Sequence, residues 1–312
     1  MKVLLTGSTG FLGQRLARRL AQNARYQLTC VVRRQVTPVA GEQVVIEGLN
    51  SAQDWSNALV GQQVIIHTAA RAHIMKDEVA DPLAEYRKIN VDGTLNLARQ
   101  AAKSGVERFI FISSIKVNGE QTFSGAPFTA EDNPSPEDAY GLSKLEAEQG
   151  LRRIAEETGM DVVIVRPPLV YGPGVKGNFA SMIKMVERGI PLPLGSIHNK
   201  RSLVALDNLV DLIVTCIEHP AAANQVFLAG DGHDLSTTEL LRGVAGAMAK
   251  PPRLIPVPTG VLMLGATLLG KKAVAQRLLG SLQVDISKAR NLLGWTPPVG
   301  VEEGLRRCFA NR

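Results

Sequence analysis

Residues 3–13 read VLLTGSTGFLG, and this short stretch decides the fold. It opens with three apolar residues, the pattern of a short buried strand, and continues with Gly7, Gly10 and Gly13 in the spacing G-x-x-G-x-x-G. Residues 14–23, QRLARRLAQN, repeat apolar positions at helical spacing. A glycine turn between a strand and a helix lets the backbone approach a pyrophosphate, while the helix N-terminus faces its negative charge. The stretch therefore predicts a dinucleotide-binding unit.

Apolar runs alternate with helical patterns through the first half of the chain. The predicted strands are Val3–Leu5, Gln27–Val32, Val44–Ile46, Val64–His67, Arg108–Ser114 and Asp161–Pro167, and the predicted helices lie near Asp92–Ser104 and from Tyr140 onward. This alternation is typical of parallel strands covered by helices on both faces. We therefore predict an α/β fold with a doubly wound parallel sheet of the Rossmann type.

The composition of the sequence changes after Arg166. Proline and glycine become dense in RPPLVYGPGVKGN and GIPLPLG, which predicts a smaller, interleaved C-terminal lobe that holds the substrate. We place the dinucleotide-binding domain at residues 1–165, with 198–230 returning to it, and the substrate lobe at 166–197 and 231–312.

The charge and the cysteine content argue against two kinds of binding partner, nucleic acids and metal ions. The net charge is +6, but the basic residues are scattered among acids and only 4% of residues are aromatic, so no nucleic-acid surface is expected. Cys30, Cys216 and Cys308 have no metal or redox spacing, which favours reduced thiols in the cytoplasm and no metal site. The first ten residues, MKVLLTGSTG, lack the apolar run of a signal peptide.

Residues 254–280, from Leu254 to Gly280, are apolar and then basic. Such a segment can lie on a membrane surface. Its Gly and Pro content and its position favour a helix packed in the substrate lobe, so we expect at most peripheral membrane contact.

The stretch LTCVVRRQ, residues 28–35, ends an apolar run in two arginines. Position 33 lies 20 residues beyond Gly13, about where an acid holds the adenosine ribose of NAD. Arg33 and Arg34 can instead bind a 2′-phosphate through paired hydrogen bonds. The pattern favours NADP(H), with NAD(H) as the alternative if both arginines are only solvated.

Three side chains at the sheet's carboxyl edge are the candidate catalytic residues. Tyr140 and Lys144 are four residues apart, so on a helix they share a face, and Ser113 and Ser114 end an apolar strand 26 residues before Tyr140. A nearby ammonium lowers the pKa of a phenol, and Ser114 can hydrogen-bond a reacting oxygen. We expect Tyr140 to exchange a proton with that oxygen as hydride moves.

Several motifs together resemble the extended short-chain dehydrogenase/reductases. They are TGSTGFLG, HTAA at 67–70, NVDGTLNL at 90–97, ISS at 112–114, YGLSK at 140–144, RPPLVYGPG at 166–174 and LGWTPP at 293–298. Within that family the chain is similar to UDP-sugar 4-epimerases and their relatives, which act at C4 of a nucleotide sugar. The resemblance implies a nucleotide-sugar-binding substrate lobe and a Ser–Tyr–Lys triad at Ser114, Tyr140 and Lys144.

The resemblance also implies binding residues. Those for the cofactor are Gly7, Gly10, Phe11, Leu12, Gly13, Arg33, Arg34, Gly48, Leu49, Ala69, Ala70, Asn90, Tyr140, Lys144 and Pro167, and those for the substrate are Ser114, Asn178 and Arg201. Three positions depart from the family pattern. Asn118 replaces a pocket tyrosine, Gly48 replaces an acid that meets the adenine, and Arg33 replaces an acid of many epimerases.

The resemblance leaves the direction of the chemistry open. RAHIMKDEVADPLAEYRKINVDGTLNLARQAA, IKVNGE and GSLQVD resemble bacterial UDP-4-keto-6-deoxy-N-acetylhexosamine 4-reductases of surface polysaccharide synthesis. A reductase that exchanges NADPH in every cycle agrees with Arg33 and Arg34, so we expect that activity. The alternatives are a UDP-sugar 4-epimerase with tightly held NAD and a non-catalytic dinucleotide-binding sensor or scaffold. Family members are commonly homodimers, so the resemblance implies a homodimer through helices such as 92–104 and 140–158. The resemblance is equally compatible with a uridine and a thymidine nucleotide in the substrate.

Overall fold

A seven-stranded parallel sheet forms the centre of the protein. The computed structural model describes residues 1–37, 40–72, 81–123 and 125–310, with the backbone alone at 178 and 273. The strands are β1 (Lys2–Thr6), β2 (Gln27–Val32), β3 (Glu42–Val45), β4 (Val64–His67), β5 (Arg108–Ile112), β6 (Asp161–Arg166), β7 (Leu169–Tyr171), β8 (Leu203–Ala205) and β9 (Val226–Leu228). The main sheet has the order β3-β2-β1-β4-β5-β6-β9, in which every neighbouring pair is parallel. The predicted Rossmann-type fold is confirmed.

Helices cover both faces of this sheet. The α-helices of the described residues are α1 (Phe11–Ala21), α2 (Ser56–Leu59), α3 (Pro82–Tyr86), α4 (Thr94–Lys103), α5 (Ala139–Thr158), α6 (Gly177–Glu187), α7 (Leu206–Glu218), α8 (Thr237–Ala247), α9 (Thr259–Leu268), α10 (Lys272–Leu279), α11 (Ser287–Leu293) and α12 (Val301–Arg307). Apolar residues of α1, α7 and α11 form the core on one face, and those of α2, α4 and α5 form the core on the other. Because both faces are buried, the inner strands are continuous apolar runs rather than alternating ones.

The strand by which the chain returns to the main sheet is not the one expected from SLVALDN. The strand predicted in SLVALDN is β8, but it pairs with β7 in a separate two-stranded parallel sheet. The seventh strand of the main sheet is β9, which pairs with β6. The division into lobes at 165/166, 197/198 and 230/231 stays a prediction.

Helix α9 also differs from the packed helix expected in 254–280, since none of its residues is buried. Among the described residues no helix is both long enough and apolar enough to cross a bilayer.

The turn between β1 and α1 requires glycine for steric reasons. Gly7 has φ +71°, and a Cβ atom there would lie 2.5 Å from Thr68 Oγ1. A Cβ atom on Gly13 would lie 2.0 Å from the Gly7 carbonyl oxygen, closer than any real contact. A Cβ atom on Gly10 would meet only that same oxygen, at 3.2 Å. Packing within the chain therefore accounts for Gly7 and Gly13 but only weakly for Gly10, which leaves its backbone open to a ligand.

Replacing Gly13 by alanine should distort this turn. We expect Gly13→Ala to destabilise the protein by about 2 kcal/mol or more, since the clash is with backbone and no rotamer relieves it. Urea unfolding followed by circular dichroism measures the loss. The matched control is Gly246→Ala in α8, where a Cβ atom meets nothing within 4 Å and should raise stability by up to about 1 kcal/mol. Equal effects of the two substitutions would contradict the steric argument.

Candidate functional site

The N-terminus of α1 is suited to an anionic group. Its N-cap, Gly10, makes no side-chain capping bond, and the first turn contains no acidic residue. Phe11 and Leu12 are half-buried at its start. The first backbone N–H groups of a helix lack intrahelical acceptors and carry the positive end of the helix dipole. Together with the open backbone at Gly10, this arrangement fits the pyrophosphate of a dinucleotide.

Two further pairs of predicted cofactor-binding residues follow the ends of neighbouring strands. Arg33 and Arg34 follow β2 directly, and both are exposed. Gly48 and Leu49 follow β3, where the Gly48 N–H donates to Gln53 Oε1 at 3.3 Å. Leu49 packs so closely that a Cβ atom on Gly93 would lie 2.8 Å from Leu49 Cγ. These positions lie at one edge of the sheet, where open α/β sheets bind ligands.

His67, at the end of β4, anchors the strand that leads to Ala69 and Ala70. Its ring is fully buried, with Nδ1 2.7 Å from Thr6 Oγ1 and Nε2 3.0 Å from Thr94 Oγ1. Burial lowers the pKa of His67 to about 3, and the charge of Lys144 acts in the same direction. The neutral imidazole therefore fixes the geometry of the strand end, and Ala69 and Ala70, both half-buried, follow it.

Asn90 lies in a π-helical segment, Arg87–Gly93, between α3 and α4. Its Oδ1 accepts the Arg71 N–H at 2.8 Å, and its Nδ2 donates to Arg71 O at 3.1 Å and to Ser143 Oγ at 3.0 Å. Ser143 in turn donates to Tyr140 O at 2.8 Å. Short π-helical segments are frequent at functional sites. The predicted Asn90 thus joins the loop after β4 to the helix that carries Tyr140.

Ser114, Tyr140 and Lys144 meet at the carboxyl end of β5. Asp138 caps α5 by accepting the Gly141 N–H at 2.7 Å, so Tyr140 lies in the first turn of the helix. Ser114 is close enough to the Tyr140 hydroxyl to lower the pKa of the phenol, whereas the Ser113 hydroxyl donates to Glu148 Oε1 at 2.5 Å. Lys144 Nζ donates to Ile112 O at 2.8 Å and lies 6.0 Å from the Tyr140 ring centroid. The choice of Ser114 over Ser113 as the catalytic serine stays a prediction.

The electrostatics of this trio differ from the sequence expectation. Burial raises the pKa of Tyr140 above its ordinary value, and Asp138 and Tyr86 raise it further, while the Ser114 hydrogen bond lowers it. Burial lowers the pKa of Lys144 to about 7, against the opposing effect of Glu148. Lys144 also lies 4.4 Å from the Phe111 ring centroid. The residues of this chain alone therefore hold the phenol in its protonated form, and the ammonium does not bring its pKa down.

The sequence analysis did not predict a buried ion pair that lies beside the trio. Arg166 donates to Glu148 at 2.6 Å and 3.0 Å, and both side chains are almost completely inaccessible. Arg166 Nη1 also donates to Asn118 Oδ1 at 2.9 Å, and Asn118 Nδ2 donates to Thr129 O. Asn118, which replaces the expected pocket tyrosine, is therefore a buried partner of this pair. A usable signal was the i, i+4, i+8 spacing of Tyr140, Lys144 and Glu148 on one helix face.

The remaining predicted residues are placed as follows. Pro167 is buried after β6, and its carbonyl accepts the Ile115 N–H at 3.0 Å. Arg201 Nη1 donates to Arg277 O at 2.9 Å and to Gly280 O at 3.0 Å, so part of its guanidinium is already bonded. The backbone of Asn178 lies in α6, and its side chain is outside the described residues. Residues 73–80, within the stretch that carries the closer resemblance to reductases, are also outside them.

Comparison with protein families agrees with this geometry. Residues 3–230 match the model of the NAD dependent epimerase/dehydratase family, a match that begins in β1 and extends past β9. The chain belongs to the NAD-dependent epimerase/dehydratase family. The predicted NAD(P)-dependent enzyme of the extended short-chain dehydrogenase/reductase class is confirmed by this membership.

Two relatives that this epimerase/dehydratase-family protein matches over nearly their whole length are named as 4-epimerases. A UDP-glucose 4-epimerase from Vibrio cholerae is 53% identical over 306 residues, which are 98% of this chain and 93% of the relative. An N-acetyl-alpha-D-glucosaminyl-diphospho-ditrans,octacis-undecaprenol 4-epimerase from Escherichia coli O157:H7 is 28% identical over 98% of this chain and 94% of the relative.

Solved structures share the fold. A UDP-glucuronic acid 4-epimerase from Bacillus cereus, in complex with NAD, has a TM-score of 0.78 at 21% identity and covers 98% of this chain and 97% of its own. A UDP-glucose 4-epimerase from Thermotoga maritima, with UDP-glucose, has a TM-score of 0.76 at 24% identity and covers 99% and 97%. At these identities the likeness shows the fold alone. The specific 4-reductase activity and the preference for NADP(H) find no support in these relatives.

The Glu148–Arg166 pair should be essential for stability in this family member. We expect Glu148→Gln to destabilise the protein by about 3–5 kcal/mol, because it leaves the Arg166 charge buried without its counterion. Urea unfolding measures the change. Glu146→Gln is the matched control on the same helix, since Glu146 pairs with Arg87 at the surface and should cost less than about 1 kcal/mol. Similar losses in both variants would contradict the proposed role of burial.

The lowered pKa of Lys144 should appear in the pH dependence of stability. Between about pH 7 and 9 the folded protein holds Lys144 neutral while the unfolded chain keeps it charged. The unfolded state then binds more protons, so the free energy of unfolding of cofactor-stripped protein should rise with pH, by at most about 1.4 kcal/mol per unit. Lys144→Met should abolish this rise, and Lys103→Met, at an exposed position of α4, should retain it. An unchanged slope in Lys144→Met would exclude Lys144 as its source.

Proposed function

We propose that this protein is a 4-epimerase of a nucleoside-diphosphate sugar, with a UDP-sugar as substrate. The observation that carries the proposal is the 53% identity, over nearly the whole of both chains, to a protein named UDP-glucose 4-epimerase. The geometry of Ser114, Tyr140 and Lys144 supports it, because the three side chains meet at the edge of the sheet where the glycine turn would hold a dinucleotide.

Each residue of the trio has a defined task in this proposal. A nicotinamide ring bound beside them supplies a hydride acceptor that later returns the same hydride. In its phenolate form, after losing its own proton to solvent, Tyr140 would accept the proton of the C4 hydroxyl as C4 becomes a ketone and give it back after the sugar has turned over. Ser114 hydrogen-bonds the same C4 oxygen and orients it toward the phenol. Lys144, whose Nζ donates to Ile112 O at 2.8 Å, would hold the nicotinamide ribose of the bound cofactor.

Because the pKa of Tyr140 is raised, the bound cofactor would have a second role in this proposal, which is to favour the phenolate form of Tyr140. Burial and Asp138 hold the phenol protonated in this chain alone. The positive charge of an oxidised nicotinamide would favour the phenolate, as any nearby cation does. Proton abstraction from the sugar is then coupled to the oxidised state of the cofactor. The family description and a solved structure of this fold both name NAD, so we infer that the cofactor of the epimerase is NAD and that it is retained through the catalytic cycle.

The second candidate is the UDP-4-keto-6-deoxy-N-acetylhexosamine 4-reductase expected from the sequence. The observation that favours it is the exposed position of Arg33 and Arg34 directly after β2, where guanidinium groups could bind the 2′-phosphate of NADPH. The same Tyr140 would then donate its proton to the C4 oxygen. The cytoplasmic homodimer and the assignment of Asn178 and Arg201 to the diphosphate belong to both candidates as proposals.

Substrate tests separate the two candidates. Purified protein supplied with UDP-glucose or UDP-N-acetylglucosamine, without added nucleotide, should interconvert the C4 epimers, as followed by proton NMR. Supplied separately with the 4-keto-6-deoxy sugar and NADPH, it should consume NADPH slowly or not at all. Rapid consumption of NADPH together with no epimerisation would replace the epimerase by the reductase.

Substitutions at the trio test the chemistry in either case. Tyr140→Phe should lower kcat by about 10²–10⁴-fold, because a phenyl ring cannot exchange a proton. Ser114→Ala should lower kcat by about 10²-fold through loss of one hydrogen bond to the C4 oxygen. Ser113→Ala is the matched control. It removes the bond to buried Glu148, so it should lower stability by about 1–3 kcal/mol and affect kcat much less. The reverse ranking of the two serines would reject the assignment of Ser114.

A further inference from the structure

Helices α9 and α10 form an apolar hairpin on the surface of the protein. The two helices pack against each other, yet α9 buries none of its residues. Leu264, Leu268 and Leu269 are exposed to 64%, 79% and 74%. Exposed apolar side chains that are clustered in this way mark interaction surfaces, whereas single ones are ordinary.

The exposed residues share helix faces. On α9, Val261, Leu264 and Leu268 recur at intervals of three and four, so they lie on one side of the helix. On α10, Val274 and Leu278 are four residues apart and are likewise exposed. We name these five residues, together with Leu269, the apolar face of the hairpin.

Positive charge lies beside this face, at the connection between the two helices and in the last turn of α10. Between Glu239 and Asp285 the sequence has six Lys and Arg residues and no Asp or Glu. Lys271 and Lys272 lie at the connection between the helices and are exposed, and Arg277 is in the last turn of α10. The segment thus carries a charge equal to the formal net charge of the whole chain, +6.

We propose that the hairpin docks on the surface of an anionic lipid bilayer. Apolar side chains then enter the boundary between headgroups and acyl chains, while the lysines contact lipid phosphates. Each Lys or Arg near an anionic membrane adds to this attraction, and salt weakens it. A second copy of this chain is the less suitable occupant, because it would bring an equally positive segment against the first.

The hairpin is firmly attached to the rest of the protein. Asn199 Nδ2 donates to Leu278 O at 3.2 Å and to Gly280 O at 2.8 Å, and Thr237 Oγ1 donates to Leu278 O. Arg201 donates to Arg277 O and Gly280 O. A hairpin on the bilayer therefore sets the orientation of the whole protein. The docking does not depend on which sugar the enzyme uses.

Vesicle binding tests the proposal. The full-length protein should float with vesicles of phosphatidylglycerol and phosphatidylcholine at low salt, and much less with phosphatidylcholine alone or at high salt. Leu264→Glu/Leu268→Glu and Lys271→Glu/Lys272→Glu should each weaken partitioning by about tenfold or more. Because these positions are exposed, both variants should keep the thermal midpoint of the parent.

Matched controls outside the hairpin complete the test. Val60→Glu, at a position exposed to 70%, and Arg18→Glu/Arg19→Glu, on the solvent side of α1, should bind vesicles as the parent does. Light scattering of each variant reports the oligomeric state. Absence of vesicle binding, or equal loss in the controls, overturns the proposal. A dimer that Leu264→Glu/Leu268→Glu converts to a monomer, without any vesicle binding, assigns the hairpin to a second copy instead.

Discussion

The placement of charged and polar groups along one buried face of α5 is the constraint on which the site depends. Tyr140, Lys144 and Glu148 occupy successive turns of that face, against the carboxyl ends of β5 and β6. Charged side chains in such surroundings need partners, because burial without compensation costs several kcal/mol. Glu148 has Arg166 as its counterion, and Lys144 has the carbonyl of Ile112. The partners come from the sheet, so the position of the helix is fixed by the same bonds that keep the charges buried.

These bonds connect packing to chemistry. Lys144 is the member of the face without an ion pair, and burial lowers its pKa to about 7. Tyr140 is shifted in the opposite direction, since burial and Asp138 favour its neutral form. Both shifts favour the uncharged state of a group, which is the general effect of burial. In the proposed mechanism a cation beside the phenol would favour proton abstraction, and a cofactor that is oxidised at that moment would provide it. Epimerisation and reduction use the same phenol and differ in whether the cofactor leaves between cycles.

The sequence predicted the parts of the fold that depend on local pattern. The bounds of β2 and β4 agree with the predicted strands, and the glycine turn lies between β1 and α1 as expected. The helical spacing of Tyr140, Lys144 and Glu148 indicates that Glu148 faces the site, but the pairing with Arg166 was not predictable from local pattern, because Arg166 belongs to a different element. The π-helical turn at Asn90 and the pairing of β8 with β7 depend on tertiary contacts in the same way. Exposure of α9 was missed because apolar composition alone does not distinguish a packed helix from one on the surface.

The structure also shows where part of the positive charge of the chain lies. A net charge of +6 read over the whole sequence favours anionic partners in general, without choosing a surface. An acid-free segment that contains an exposed apolar hairpin concentrates that preference at one place. The end of this hairpin is bonded to Arg201, which is also the residue proposed for the substrate diphosphate. Because a guanidinium has a fixed planar geometry, a displacement of Arg277 or Gly280 changes the direction in which its remaining N–H groups point. The guanidinium of Arg201 therefore connects the hairpin directly to the place proposed for the substrate diphosphate.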